Sequence, residues 1–171
     1  MSNLKIHVIA EAFVGEANGV TTAILELMES LEKDDYYTLV DTPEEADVIH
    51  AHTIGLDYIK NTYKYKHKMV VSAHVIPDSF IGSLIFSKLW RPLAKQYLKF
   101  VYNRSKEVIA VSPFVKLELE RINVRSKIHV LCNSVDRQKF AQNQALRDTF
   151  RAKHALEGKF VVTCVGQIQP R

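Results

Sequence analysis

Met69-Val70-Val71-Ser72-Ala73-His74 is an apolar run that does not alternate with polar residues until its last positions. A strand with one solvated face alternates, whereas a strand of a parallel sheet covered on both faces does not. Runs of the same kind lie on either side: 5–10, 38–40, 47–52, 107–112, 127–132 and 160–166. Helical patterns separate them. Val20, Ile24, Leu27, Met28 and Leu31 recur at helical spacing and predict a helix over 20–33. Further helices are expected over about 55–65, 113–122 and 143–156. The stretch 79–104 is helical in character but holds Pro92. Proline fits best in a first turn, so two segments are expected, 79–88 and 92–104. Ser112-Pro113 supplies an N-cap and a proline at the first helical position. Strands that alternate with helices imply an α/β domain: a doubly wound, Rossmann-like parallel sheet with helices on both faces. Such sheets hold ligands at the carboxyl ends of their strands.

Composition narrows the class. The chain has 171 residues, 47% hydrophobic and 25% charged, within the globular range. Cys132 and Cys164 each sit inside an apolar run and read as buried thiols in a reducing compartment, with no disulfide framework. The opening MSNLKIHVIAEAF is too short an apolar run for a signal peptide. No stretch approaches the roughly 18 uncharged apolar residues of a membrane span. Neither a secreted nor an integral membrane protein is expected, and a cytoplasmic location follows.

The net charge of +4 conceals an asymmetry. Residues 58–106 carry ten Lys and Arg against one acid, Asp78, a balance of +9, while the remainder carries 13 bases and 18 acids. Such a region attracts phosphate, of nucleic acid or of an anionic bilayer, or is a solvated face without a partner. Lys88, Arg91, Lys95 and Lys99 step at helical intervals, with Trp90 nearby and Leu89, Leu93, Tyr97 and Phe100 on the opposite face. That pattern suits an interfacial helix and equally a helix packing on the sheet. The aromatics follow the apolar side of the helix, which disfavours base stacking, so a nucleic-acid partner is not expected.

Several strand ends carry polar residues. After the first strand, Asn18-Gly19-Val20 runs into a helix N-terminus, where free N–H groups and the helix dipole favour an anion. The dinucleotide spacing G-x-G-x-x-G is missing there. His50 and His52 share one face of a strand. No third ligand at suitable spacing is evident, so no metal site is expected and His52 reads as a polar residue of the cleft. His74 ends its strand and can hydrogen-bond a sugar hydroxyl or a phosphate. Pro77, Asp78 and Ser79 follow it as further cleft candidates, although Asp78 or Ser79 could equally cap the next helix.

In order along the chain, Glu11 through Asn18-Gly19-Val20, Asp47-Val48-Ile49-His50-Ala51-His52, Ser72-Ala73-His74, Val108-Ile109-Ala110-Val111-Ser112 and Asn133-Ser134-Val135-Asp136 resemble the N-terminal half of a family-4 retaining glycosyltransferase of the GT-B fold. Ser72 to Ser79, Gly82-Ser83-Leu84 and the basic, aromatic helix are most similar to bacterial diacylglycerol glycosyltransferases that extend a monoglycosyl-diacylglycerol.

The resemblance implies two Rossmann-like domains facing a cleft. Residues 1–158 would be the acceptor-binding domain, and 159–171 the first strand and loop of a truncated C-terminal domain for the nucleotide-sugar. It also implies that His74 contacts the donor sugar, that Asn18, Gly19 and Val20 lie near the donor diphosphate, and that no carboxylate nucleophile is required from this half. The co-substrate would be UDP-glucose or UDP-galactose, with no tightly bound cofactor. The acceptor would be a glycolipid. The enzyme would work peripherally on the cytoplasmic face of an anionic membrane, with the chain alone inactive. A soluble or polysaccharide acceptor, or a non-enzymatic basic α/β binding module, remains an alternative reading.

Overall fold

The computed structural model describes residues 3–11, 19–80, 87–135 and 137–165. Six strands form one parallel sheet: β1 (Leu4–Ile9), β2 (Tyr37–Leu39), β3 (Val48–Ala51), β4 (Met69–Ala73), β5 (Glu107–Ala110) and β6 (Lys127–Val130), in the spatial order β2-β1-β3-β4-β5-β6. The helices are α1 (Gly19–Glu32), α2 (Leu56–Tyr65), α3 (Ser87–Tyr102), α4 (Pro113–Arg121) and α5 (Gln144–Lys153). Short 3-10 turns precede β4 and follow it, at Lys66–Lys68 and Pro77–Phe80. The doubly wound parallel architecture expected from the sequence is therefore present.

The two sheet faces are unequal. Register pairs Ile49 with Met69, Ala51 with Val71, Val71 with Val108, and Ala73 with Ala110, so these residues share one face. All of them are fully buried, together with Tyr58 of α2, Leu98 and Val101 of α3 and Leu119 of α4. Right-handed crossovers after β3, β4 and β5 put these three helices on that face. Ile6 of β1 and Ile24 of α1 are also buried but lie outside this cluster. The opposite face of the central strands carries His50, Ser72 and Glu107, and most of its residues are half-buried.

Tyr58 ties α2 to α3 within the core. Its hydroxyl donates to the Val101 carbonyl at 2.7 Å and lies 2.7 Å from Ser105 Oγ. Burial pushes this phenol up to about 12. Ser112 Oγ accepts from Val115 N at 3.2 Å, so Ser112-Pro113 opens α4 as its sequence predicts.

Three expectations change. Pro92 does not split the basic helix: α3 is one element from Ser87 to Tyr102 with Pro92 inside it. Pro92 is in its second turn, so only one intrahelical bond is forfeited, and the residues after it anchor the helix through buried Leu98, Val101 and Tyr102. Cys132 and Cys164 are exposed. Cys132 lies just past β6, the edge strand, where the apolar run is half solvated. Residues 160–165 pair with no strand among the described residues, and Phe160 is 96% exposed. Their β-branched content favours a pleated surface, but ladder hydrogen bonds require a neighbour. Residues through Asn133 form one compact unit; those from Ser134 on form a second, which contains α5.

Candidate functional site

The strand order reverses at β1, which has β2 on one side and β3 on the other. The chains leaving β1 and β3 therefore diverge to opposite faces and open a crevice at their carboxyl ends. A cavity of about 750 Å³ lies at these ends, lined by Glu11 after β1, Gly19 and Val20 of α1, His52 and Thr53 after β3, and His74 after β4. Tyr97 and Tyr102 of α3 add an aromatic wall.

His52 and His74 of this lining continue into a row of imidazoles with His50. The His50 and His52 rings lie 4.3 Å apart between centroids, and those of His52 and His74 are stacked at 5.5 Å. His52 Nδ1 is 3.2 Å from His74 Nε2, and His50 Nε2 is 2.9 Å from Ser72 Oγ. Burial pushes His50 down to about 4 and His52 to about 3, each helped by neighbouring imidazoles, and burial lowers His74 as well. A second charged ring beside the first would be repelled, so the row is neutral near pH 7. Among the described residues no group of three or more His, Cys, Asp or Glu is arranged to hold a metal ion.

Glu11 holds the two sides of the crevice together. Its backbone N–H donates to Thr53 Oγ1 at 2.9 Å. Its carboxylate accepts from the N–H groups of Asp57 and Tyr58, the latter at 3.1 Å, and so caps the N-terminus of α2. A carboxylate there meets both the orphan donors and the positive end of the helix dipole. Gly55 leaves room for it: a Cβ at that position would fall 1.6 Å from Glu11 Oε2. On the same loop the Ile54 carbonyl accepts from the Tyr97 hydroxyl at 2.6 Å, and at the other side the Val75 carbonyl accepts from Tyr102 at 2.7 Å. Thr53 and Tyr102 are not among the residues the sequence singles out, while Glu11 enters only as the start of a family-like stretch and Tyr97 only as part of the apolar side of its helix. Position directly after a predicted strand was the available signal for Glu11 and Thr53. The tyrosines reach the site only through the docking of α3.

The remaining candidates divide. His52, His74, Gly19 and Val20 line the cavity. A Cβ on Gly19 would meet open space, so packing among the described residues does not demand glycine there. Asn18 lies outside the described residues. Pro77 is buried and does not line the cavity. Asp78 pairs with Arg91 at 2.9 Å on the surface. Ser79 belongs to the 3-10 turn, and Lys88 and Trp90 to the first turn of α3. Lys95 is exposed and Lys99 half-buried on the same helix. Other members of the basic middle have partners: Lys64 pairs with Glu44, and the Arg104 guanidinium sits 3.8 Å from the Tyr63 ring and 5.2 Å from Phe100.

The clasp predicts a non-additive cycle. Glu11→Ala removes the cap and is expected to cost about 1–2 kcal/mol. Gly55→Ala displaces the same carboxylate and should cost a similar amount. Made on the Glu11→Ala background, Gly55→Ala should cost far less; full additivity in urea midpoints would contradict the clasp.

The imidazole row predicts acid sensitivity. His50 and His52 bind protons at about 4 and 3 when folded but near 6.5 when unfolded. Between those values the unfolded chain holds more protons, so stability falls as pH drops below 6.5 and is flat from these groups above it. Each unit below 6.5 costs about 1.4 kcal/mol per imidazole held neutral. Urea titrations at pH 7.5 and 5 should show the loss, and His50→Asn with His52→Asn should flatten it.

Comparison with known proteins agrees with this geometry. Residues 40–139, more than half of the chain, match the model of Glycosyltransferase Family 4. The chain is 28% identical over 178 aligned positions to the alpha-galactosylglucosyldiacylglycerol synthase of Streptococcus pneumoniae (strain ATCC BAA-255 / R6), covering 98% of this chain and 47% of that protein. The chain thus spans about half the length of the curated relative it matches. With a doubly wound sheet whose crevice ends in His52 and His74, and a family match across its centre, the chain belongs to glycosyltransferase family 4.

Proposed function

We propose that this chain is the acceptor-binding and membrane-binding half of a retaining hexosyltransferase that moves glucose or galactose from a UDP-sugar to a diacylglycerol-type glycolipid. The observation that carries this reading is the cavity at the switch point, where His74 and the N-terminus of α1 face one space. An imidazole there can hydrogen-bond a sugar hydroxyl, while the α1 N-terminus favours the charge of a leaving diphosphate. Tyr97 offers a flat apolar surface that a hexose ring stacks against. In the retaining chemistry expected of such an enzyme, the acceptor hydroxyl attacks from the leaving-group side and its proton passes to the departing phosphate. His74 then serves as a catalytic hydrogen-bonding group and not as a nucleophile.

The nucleotide would be held mainly by a C-terminal domain, the chain alone being inactive. Exposed Phe160, Val162 and Val165 support this, since such residues suit a sheet that a further domain would complete. The relative's name supports a glycolipid acceptor. A cytoplasmic-face, peripheral location is supported by α3, which exposes Lys95 on one face and Leu93, Tyr97 and Phe100 on the other. Among the described residues no helix is long and apolar enough to cross a membrane.

Transfer from UDP-glucose or UDP-galactose to a monoglycosyl-diacylglycerol, measured with the full-length protein, tests the reading. His74→Ala is expected to lower kcat at least 100-fold, the scale of one positioned polar group in a transition state, with the thermal midpoint little changed. Undiminished turnover would remove His74 from the site. Vesicle sedimentation addresses the membrane. Binding should require anionic lipid, weaken with salt, and drop roughly fivefold for each of Lys95→Ala and Lys99→Ala. Equal binding to neutral vesicles would refute the charged-surface reading.

A further inference from the structure

We propose that His52 is a positioning residue that fixes the His74 proton on Nδ1, so that His74 meets a ligand in the cavity as a hydrogen-bond donor and not as a base. The catalytic part of this inference rests on the function proposed above; the tautomer itself does not.

One proton is shared across the 3.2 Å between His52 Nδ1 and His74 Nε2. Two arrangements of neutral rings satisfy that contact. In one, His74 Nε2–H donates, and the proton of His52 must then sit on its own Nε2. That atom is buried and has no hydrogen-bond partner among the described residues, within a residue that is only 7% exposed. The result is an orphaned N–H in the interior, the rarest kind of unpaired polar group in folded proteins. In the other arrangement His52 Nδ1–H donates to His74 Nε2, and His52 Nε2 keeps only a lone pair. A buried acceptor with an unused lone pair is tolerated in folded proteins more often than a buried N–H without an acceptor. Both rings are held neutral by burial, so a doubly protonated His52 does not enter.

The second arrangement has a chemical consequence. With Nε2 of His74 accepting from His52, its single proton is on Nδ1, the nitrogen that has no partner among the described residues. His74 lines the cavity and is half-buried. It therefore offers a donor to an oxygen lone pair of a hydroxyl or phosphate, and its only basic nitrogen is already occupied. This separates the two roles that an isolated histidine could take, and it does so through the neighbouring strand, because the pairing of β3 with β4 sets His52, just past β3, near His74, just past β4.

Ring 1H–15N correlation spectra of the chain at neutral pH decide the tautomer. The expected spectrum shows His74 with Nδ1 protonated and Nε2 bare, and His52 likewise. A His74 protonated on Nε2 would overturn the proposal outright. His52→Asn places an amide N–H near the lost Nδ1–H and should keep the His74 pattern. His52→Phe removes the donor and should release His74 to the Nε2–H form that free histidine prefers; an unchanged pattern would overturn the role of His52. In transfer assays on the full-length protein, His52→Asn should stay within about threefold of wild type, while His52→Phe should lose roughly 10- to 100-fold in kcat/KM. Equal losses in the two variants would mean that His52 acts by packing alone and would also overturn the proposal. Absence of any glycosyl transfer by the wild-type protein would refute the proposed function, and the spectra would still decide the tautomer.

Discussion

The Glu11 carboxylate on the N-terminus of α2 is the contact on which the site depends. β1 and β3 pair to their last residues, where the His52 N–H donates to the Ile9 carbonyl at 2.9 Å, but beyond Ile9 and Ala51 the ladder ends and the chains leave in different directions. Glu11 bridges them twice, through its backbone to Thr53 and through its side chain to the first turn of α2. It also fills the helix N-terminus with an internal anion. Gly55 follows from the same constraint, because the carboxylate occupies the volume a side chain would need.

From that clasp the rest of the cavity is assembled by the sheet's unequal faces. The apolar face is covered by α2, α3 and α4, and buries the residues that set helix positions, Tyr58 and Leu98 among them. The docking of α3 then brings Tyr97 and Tyr102 to the loop carbonyls of Ile54 and Val75. The opposite face accumulates His50, Ser72 and, past the strand ends, His52 and His74. Partial burial there is deep enough to keep imidazoles neutral while leaving His74 at the edge of an open volume.

The basic middle has a less uniform fate than its charge suggests. Arg91 is engaged by Asp78, Lys64 by Glu44, and Arg104 by two aromatic rings and Thr62. Exposed ion pairs of this kind contribute little to stability, but they reduce the charge available to a partner. Lys95 stays exposed on α3, on the face opposite exposed Leu93, so cationic and apolar surface lie on different sides of one helix.

The order of strands and helices was legible in the amino-acid sequence, because non-alternating runs such as Met69–Ala73 and the helical spacing of Val20 to Leu31 are local patterns. The same locality made His52, His74 and Gly19 visible as residues at strand ends. Where the reading departed from the structure, the deciding interaction was distant in the chain. Pro92 stays inside one helix because the residues after it are anchored in the core. Residues 160–165 have strand composition but no paired neighbour among the described residues, and Cys164 is exposed with them. Glu11 lies 46 residues from Asp57, and Tyr97 lies 43 from Ile54. The sequence by itself determined the fold class and which strand ends carry polar groups. Only the tertiary structure decided which of those groups meet, because that depends on the register of parallel strands and the docking of helices, which no local period encodes.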